Sequence, residues 1–228
     1  MILYRPENEP QAVRLLNQLK EAYDLRVIPE ANWFLGIRII RDRATHRLWL
    51  CQDSYIDKLA EKFKVITTGK AFPRTPLPLE PLVPYEGTAT DAQILAYQQR
   101  IGSINFPTTI SRPDIAKPCS ILSQFLKNPS PQHIEAADRV IRYLAGTKYL
   151  AIEYSGSPDQ GSLDFECYPL ACYSDAAFAD NIDRKSLDGF LFTLYRGPID
   201  WNASKQATVT TSSIEAELLA LSRTAKEV

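Results

Sequence analysis

The sequence predicts an α+β fold with a β-hairpin and flanking helices, a helical middle segment, and a final unit of three strands and a helix. Three observations support this class. Side chains alternate with a period of two in the final part of the chain, and two short apolar runs flank a turn near its start, both as expected for β-strands. Apolar residues recur at helical spacing in the middle. Prolines at positions 73, 76, 78, 81 and 84 separate the first two parts, because proline interrupts helices and central strands.

The first part begins with a predicted helix, opened by a proline, whose apolar residues form one stripe. They are Ala12, Leu15, Leu16, Leu19 and Ala22. Residues 33–40 then predict a strand, residues 41–46 a turn, and residues 47–51 the returning strand. A second helix is expected to begin at residue 53 or 54 and to end near residue 63.

Seven basic side chains lie on this hairpin and second helix. They are Arg38, Arg41, Arg43, Arg47, Lys58, Lys62 and Lys64. Basic side chains bind the phosphate backbone of nucleic acids, so contact with a template-primer duplex is one interpretation. The other interpretation is that they form the ordinary polar faces of an amphipathic hairpin and helix. The sequence leaves both open.

Residues 66–90 combine Thr67-Thr68-Gly69 with the five prolines named above. This composition blocks a helix or a central strand. The segment is either a linker between domains or an extended stretch that lies over a surface. We place a domain boundary here.

Three helices are expected between residues 91 and 146. Asp91 is the expected cap of the first, the second starts at Pro113, and Ser130 caps the third. The inward positions of the third helix are Ile134, Ala137, Val140, Ile141 and Leu144. This spacing leaves His133 near or outside the apolar stripe, and no nucleophile accompanies it that would make it a catalytic base. Gly146 is the expected stop.

Arg112 lies just before the second of these helices. As a structural residue it would pair with Asp114 or donate to backbone carbonyl groups at a helix end. Contact with a phosphate is the alternative.

The final part predicts three strands, around residues 170–175, 189–195 and 199–201. A helix follows, capped by Ser212 or Ser213. At 100° per residue its apolar stripe consists of Ile214, Leu218, Leu221 and Ala225. Glu217 lies at the edge of that stripe and is the acid that we expect to be held away from water.

Burial of a carboxylate is costly unless a cation or hydrogen-bond donors meet it. Glu217 would therefore share a divalent cation with a second acid, Asp175, at the end of the first of these strands. Hard cations such as Mg²⁺ take oxygen ligands from one or two carboxylates and from phosphates. The sequence thus predicts a site for metal-assisted phosphodiester hydrolysis. The other interpretation is that the two acids merely cap or pair with neighbouring groups.

Several motifs of this final part occur in a fixed order. They are Tyr173-Ser174-Asp175, Arg184-Lys185-Ser186 with Gly189-Phe190, Pro198-Ile199-Asp200-Trp201 with Ser204-Lys205-Gln206, and Ser212-Ser213-Ile214-Glu215-Ala216-Glu217. Together they resemble the ribonuclease H domain of copia-type LTR retrotransposon Pol polyproteins. The resemblance implies that Asp175 and Glu217 are catalytic metal ligands. It also implies that Arg184, Lys205 and Ser213 contact the backbone of an RNA–DNA hybrid.

Two earlier regions resemble the same family. Phe34-Leu35-Gly36-Ile37 with residues 52–63 is similar to the end of the palm and the start of the thumb of its reverse transcriptase. Ser111-Arg112-Pro113-Asp114-Ile115 and residues 142–147 are similar to the segment between polymerase and nuclease. The resemblance implies four parts: a palm-end and thumb-like segment (1–75), a proline-rich linker (76–90), a helical connection (91–155) and a partial ribonuclease H-like domain (156–228).

Activity is expected to be limited. The family's polymerase uses an Asp-Asp pair, and its nuclease uses further acids on a later strand and helix, whereas this sequence has no Asp-Asp dipeptide and lacks the later acids. We therefore expect no reverse transcriptase activity and at most weak cleavage of RNA in RNA–DNA hybrids. Phe178 and Asp188 stand where the family usually has tryptophan and a small polar residue.

The resemblance also implies a cofactor and partners. Mg²⁺ or Mn²⁺ would be the cofactor, an RNA–DNA hybrid or template-primer duplex would be the partner, and a longer product would supply the segments that this sequence lacks. The alternative is a non-enzymatic remnant that binds nucleic acid or protein.

Composition and charge fit this picture. With 45% hydrophobic and 23% charged residues, the chain has an ordinary globular composition. Residues 1–75 carry 13 basic and 9 acidic side chains, whereas residues 151–228 carry 6 basic and 12 acidic ones. The basic segment suits contact with phosphates and the acidic segment suits a cation site. The other interpretation is ordinary surface charge.

Cysteine spacing and hydropathy exclude other classes. The four cysteines lack Cys-x-x-Cys spacing and only two histidines are present, so no zinc site is predicted. Because no signal peptide or apolar run of ~20 residues is recognisable, we expect an intracellular protein, cytoplasmic or nuclear, without a membrane partner.

Overall fold

The structure is a computed structural model that describes residues 6–25, 31–66, 71–155 and 170–227. The chain forms two compact units, Met1–Asn32 and Trp33–Val228. The first unit contains a short 3₁₀ helix, Pro6–Asn8, and helix α1, Glu9–Ala22. This confirms the predicted helix, whose stripe has Ala12 buried but Leu15 46% exposed.

The second unit begins with a four-stranded antiparallel sheet. Its strands are β1 (Trp33–Phe34), β2 (Ile37–Asp42), β3 (Arg47–Cys51) and β4 (Ile152–Ser155), in that spatial order. The prediction of one strand over residues 33–40 is wrong. Leu35 and Gly36 both have positive φ, 49° and 82°, and they form a tight turn that reverses the chain between β1 and β2.

Four helices form the middle of this unit: α2 (Asp53–Phe63), α3 (Asp91–Ile110), α4 (Ala116–Ser123) and α5 (Pro131–Gly146). The limits predicted for α2 and for the start of α5 are confirmed, and Ser130 caps α5. Thr90, not Asp91, caps α3, because its hydroxyl accepts the Gln93 N–H in a capping box. A 3₁₀ turn, Pro113–Ile115, precedes α4.

The hydrophobic core of the unit lies among these four helices. Its most deeply buried members include Ile56, Tyr97, Ile104, Leu122 and Ile141, all with no exposed area. The Tyr97 hydroxyl donates to the Leu122 carbonyl oxygen at 2.8 Å. Burial raises the pKa of Tyr97, so this phenol stays neutral.

His133 is part of this core, contrary to the expectation that it lies near or outside the apolar stripe. It is 1% exposed and stacks on Phe125 with ring centroids 3.9 Å apart. The Ser130 N–H donates to its Nδ1 at 2.9 Å, so Nε2 carries the proton toward the Val83 carbonyl oxygen at 3.0 Å. The ring completes the cap of α5 and links the helix to the proline-rich segment.

The described proline-rich residues, 71–90, run along α5 as an extended segment. The Arg142 guanidinium donates to the Ala71 carbonyl oxygen at 2.7 Å, and Arg139 donates to that of Thr75 at 3.2 Å. Asn128 donates to the carbonyl oxygen of Gly87 at 2.9 Å and accepts the Ala89 N–H at 2.8 Å.

A second antiparallel sheet contains β5 (Leu170–Ala177), β6 (Leu187–Leu194) and β7 (Gly197–Lys205), with β6 in the centre. These are the three predicted strands. Helix α6, Ser213–Glu227, packs against β5 and β6, while α4 packs against β7. Trp201 of β7 donates its indole N–H to the Thr108 carbonyl oxygen of α3 at 2.7 Å. Residues of the helical segment therefore cover part of this sheet.

The two sheets meet at the end of β4. The Ser155 N–H donates to the Tyr195 carbonyl oxygen at 2.9 Å, and the Tyr154 hydroxyl donates to that of Pro198 at 2.7 Å. Gly197 fits closely here, since a Cβ on it would lie 2.6 Å from the Glu153 carbonyl oxygen. None of the described helices combines the length and hydrophobicity that a membrane span needs.

The predicted inward face of α6 is wrong. Ile214 and Leu218 are 71% and 60% exposed, whereas Ala216, Ala220 and Thr224 are buried against the sheet. Small side chains let the helix approach the strands closely. The orientation of α6 also depends on a polar contact, the ion pair between Arg223 of α6 and Asp188 of β6, which the spacing of apolar residues does not reveal.

Candidate nucleic-acid and metal site

One end of the second sheet collects most of the residues singled out in the sequence. Lys205, the last residue of β7, lies opposite Leu187, the first residue of β6. The loop of residues 178–186 joins β5 to β6 at this end, and the Gln206 N–H donates to the Ser186 carbonyl oxygen at 2.9 Å. A second loop, residues 206–212, leads to α6, which starts at Ser213, and the hydroxyls of Thr210 in this loop and Ser186 are hydrogen-bonded at 2.9 Å. The two loops and the helix N-terminus thus form one surface.

Asp175 and Glu217 lie on two elements that pack against each other, β5 and α6. Both side chains are exposed, and neither has a hydrogen bond or ion pair with another described residue. The expectation that Glu217 is held away from water is therefore wrong, because the buried face of α6 passes through Ala216 instead.

The register of β5 and β6 decides which face of the sheet Asp175 occupies. Asp175 pairs with Gly189, so it shares a face with Tyr173 and Leu191. Asp188, the residue before Gly189 in β6, lies on the opposite face, where Arg223 of α6 binds it at 2.7 Å. Because successive side chains of a strand lie on opposite faces of the sheet, Asp175 lies on the face away from α6.

Two carboxylates of the correct type for Mg²⁺ therefore lie on neighbouring elements without forming a shared cluster. Among the described residues there is no group of three or more histidine, cysteine, aspartate or glutamate side chains that could hold a metal ion. Magnesium can retain several water ligands and use only one or two carboxylates. The donor chemistry fits such a cation, but the arrangement does not by itself complete a catalytic site.

Lys205 and Arg184 differ in their surroundings. The Lys205 ammonium binds Asp183 at 2.7 Å and lies 3.4 Å from the amide oxygen of Gln124. The hydrogen bond from Lys205 is the main cause that lowers the pKa of Asp183. Arg184 has a positive φ of 62°, and its exposed guanidinium makes no hydrogen bond or ion pair with another side chain in the described part of the protein.

Ser213 is the first residue of α6, and Ser212 is the cap. The Ser212 hydroxyl accepts the Glu215 N–H at 3.1 Å, and the Glu215 carboxylate in turn accepts the Thr211 N–H at 2.6 Å. These bonds to Thr211 lower the pKa of Glu215. Glu215 is thus engaged in capping, and the backbone contact assigned to Ser213 remains a prediction.

Lys117 of α4 and Gln124, the C-cap residue of this helix, also reach this surface. Lys117 binds Asp180 at 2.7 Å, and the Gln124 amide donates to Asn181 at 3.1 Å. Gln124 follows Lys117 by seven residues, two helical turns, so the two lie on one side of α4 and its C-terminal end. That spacing is visible in the sequence, but nothing in the sequence indicates that this side meets the β5–β6 loop.

The basic hairpin residues divide into two groups. Arg38 binds the buried Asp53 at 2.7 Å, and Arg47 lies 3.5 Å from Glu153, so both have structural partners. Arg41 and Arg43 are exposed, and no described residue binds their side chains. Only the second group is free for a phosphate.

Arg112 has the structural role that was expected. It is 2% exposed, makes two hydrogen bonds to Asp114 at 2.9 and 2.7 Å, and donates to the Thr147 carbonyl oxygen at 3.1 Å. It therefore both pairs with Asp114 and binds a carbonyl group at the end of α5.

The fold and this site define an α+β protein with two antiparallel sheets, a helical core, and a polar surface at the end of the second sheet. Sequence comparison adds the family. The chain is 31% identical over 222 residues to a putative transposon Ty5-1 protein of Saccharomyces cerevisiae. The aligned residues cover 94% of this chain and 67% of that protein. The chain belongs to the retrotransposon Pol family.

Other relatives agree with this assignment or overlap a shorter region. The retrovirus-related Pol polyprotein from transposon TNT 1-94 of Nicotiana tabacum is 32% identical over 222 residues, and the chain spans 16% of its length. Secreted RxLR effector protein 161 of Plasmopara viticola is 36% identical over 132 residues, 58% of this chain and 87% of that protein. No family model and no solved structure matches the chain.

Proposed function

We propose that this retroelement-derived polypeptide is a nucleic-acid-binding part of a Pol polyprotein. In this proposal, residues 1–75 correspond to the palm end and thumb of a reverse transcriptase, residues 76–90 to a linker, and residues 91–155 to a connection. Residues 156–228 correspond to part of a ribonuclease H-like domain. Its natural substrate class would be RNA in RNA–DNA hybrids.

One observation carries the proposal. A strand that bears Asp175 begins a three-stranded antiparallel sheet, and the helix that bears Glu217 packs against that same strand. The loop with Arg184 and the strand end with Lys205 lie at the end of the sheet where this helix starts. Acids and cations at one end of a sheet are the chemistry required to hold a metal ion and a phosphate backbone.

Asp175 and Glu217 would each offer a carboxylate to Mg²⁺ or Mn²⁺, which would supply Lewis-acid stabilisation of phosphate oxygens when bound. Because Asp175 lies on the sheet face away from α6, sharing one ion requires the end of β5 to turn toward the helix. Arg184, Lys205 and Ser213 would bind and orient the hybrid backbone by donating hydrogen bonds to it. Because no third acid lies with the pair among the described residues, we expect weak metal binding and very weak or no hybrid cleavage by this polypeptide alone.

The test measures hybrid binding, metal binding and cleavage with the full 228-residue chain. We expect salt-dependent binding of a labelled RNA–DNA hybrid, and Mn²⁺ binding that Asp175→Asn and Glu217→Gln both weaken. Asp200→Asn is the matched control, because Asp200 is an exposed acid on β7 of the same sheet. Equal Mn²⁺ affinity in all three variants would show that Asp175 and Glu217 are not metal ligands. Turnover that Asp175→Asn abolishes would contradict the expected inactivity.

The alternative is a non-enzymatic remnant that binds nucleic acid. The absence of a shared carboxylate cluster in the described residues and the two unpaired cations of the hairpin, Arg41 and Arg43, favour it. Hybrid binding that depends on salt but is unaffected by Mg²⁺, Mn²⁺ and both acid variants would support this alternative.

A further inference from the structure

The β5–β6 loop is held against α4 and β7 by three polar contacts. Asp180 binds Lys117, Asn181 accepts from Gln124, and Asp183 binds Lys205. These side chains line one groove of about 500 Å³, which the proline-rich segment borders on its other side. An extended ligand in that groove would therefore meet both lysines.

Both ion pairs are exposed to solvent. The side chains of Lys117 and Lys205 are 50% and 29% exposed, and those of Asp180 and Asp183 are 42% and 45% exposed. Such pairs contribute little to stability, because water screens the attraction and the long lysine side chain loses freedom. Replacing either carboxylate by another anion is correspondingly easy.

We propose that Lys117 and Lys205 form a phosphate-binding pair for a nucleic-acid backbone, and that Asp180 and Asp183 occupy this pair in the free protein. The inference rests on the proposed function, to which it adds a site on α4 and a competing loop. Binding of a strand would release the loop from both lysines.

Charge chemistry favours a polynucleotide over a single anion. A phosphodiester oxygen accepts a hydrogen bond from an ammonium group as a carboxylate does, and lysine is a common phosphate ligand. One strand carries successive phosphates, so it can meet both lysines at once and release bound counterions. Arg184 and Lys185 directly follow Asp183 in the same loop and add two further cations to it.

The experiment measures the affinity of the full chain for a labelled RNA–DNA hybrid over a salt series. Lys117→Gln and Lys205→Gln should each weaken binding and reduce the slope of log affinity against log salt by about 1. Asp180→Asn and Asp183→Asn should tighten binding, up to about fivefold, because each removes a weak competitor. In the Lys205→Gln background, Asp183→Asn should have no effect.

A matched pair controls for net charge. Lys148 binds Asp57 at 2.9 Å on another part of the surface, so Lys148→Gln and Asp57→Asn change the charge equally but should leave affinity nearly unchanged. Thermal unfolding of each variant checks that it folds.

The outcomes separate this inference from the proposed function. If the lysine variants weaken binding but the aspartate variants do not tighten it, the competing loop is refuted. If the lysine variants bind as the original chain does while Arg41→Gln and Arg43→Gln weaken binding, this site is refuted and the nucleic-acid function stands. If no hybrid binding is found at all, both are refuted.

Discussion

Replacing the buried Arg112 by methionine should destabilise the protein substantially. Its guanidinium is 2% exposed, binds Asp114 through two hydrogen bonds, and donates to the carbonyl oxygen and the hydroxyl of Thr147. Tyr143 donates to the same Asp114 carboxylate at 2.8 Å. Arg112→Met would leave these acceptors without their cation at the end of α5.

The magnitude follows from burial. Removing one partner of a buried ion pair costs about 3–5 kcal/mol. Asp114 is 33% exposed and can be rehydrated in part, so we expect the lower end, about 3 kcal/mol. For a domain of this size that loss corresponds to a fall in Tm of about 6–12 °C. Arg112→Met with Asp114→Leu should recover part of the loss, because no unpaired charge remains.

Urea and thermal unfolding followed by circular dichroism measure this loss. Lys148→Met is the matched control, since it breaks the exposed Lys148–Asp57 pair and should cost less than about 1 kcal/mol. A loss in Arg112→Met no greater than that of the control would refute the reasoning.

The same pair should make stability depend on pH. Burial of Asp114 raises its pKa, but hydrogen bonds and the charge of Arg112 outweigh that effect, and the pKa lies below the usual value. The pair therefore stabilises the protein above the ordinary pKa of an aspartate. That contribution should disappear as the pH falls through the lowered pKa, and Asp114→Asn should remove this part of the pH dependence.

Three further predictions concern packing and protonation. Gly197→Ala should cost about 1–3 kcal/mol in urea unfolding, because its Cβ would lie 2.6 Å from the Glu153 carbonyl oxygen. Ala216→Leu should cost about 1–3 kcal/mol by overpacking, while Leu218→Ser on the exposed face should change stability by less than about 0.5 kcal/mol; equal losses would contradict the helix orientation. Burial lowers the pKa of His133, so the neutral ring contributes fully to stability above the unfolded pKa of about 6.5. That contribution should be lost as the pH falls below this value, and His133→Gln should abolish this part of the pH dependence.

The elements that the sequence predicts best are those with both a strong period and a local start signal. Helix α5 has Ser130 before a proline and an apolar stripe, and its start and its buried residues Val140, Ile141 and Leu144 agree with the structure. The pairing of Arg112 with Asp114 was also predictable, because the two residues are close in sequence. Local signals of this kind do not depend on the rest of the fold.

Features that depend on distant contacts were missed. Strand β4 is short and pairs with β3, about 100 residues earlier, so no local pattern indicates it. His133 was placed near or outside the stripe, because its partners Phe125 and Val83 come from other segments. The β1–β2 turn was missed because Leu35, an apolar residue, has the positive φ that usually favours glycine or asparagine.

Helix α6 shows how one polar contact can override an apolar count. Asp188 is 6% exposed, and it binds both Arg223 at 2.7 Å and the Ser204 hydroxyl at 2.9 Å. A charge buried on the sheet must be paired, so the helix has to present Arg223 to β6. Because Ala216, Ala220 and Thr224 lie on the same side as Arg223, they are buried and the larger apolar residues are not.

The candidate metal pair depends on a similar long-range feature, the register of one strand. Spacing in the sequence places Asp175 near the end of β5 and Glu217 near the start of α6, and the structure agrees with both positions. Spacing does not fix the face, since a shift of one residue moves every side chain of a strand to the other side. In the observed register Asp175 pairs with Gly189 and lies away from α6. The Mn²⁺ comparison of Asp175→Asn with Glu217→Gln therefore tests geometry as well as chemistry, because two carboxylates that share one ion lose affinity together.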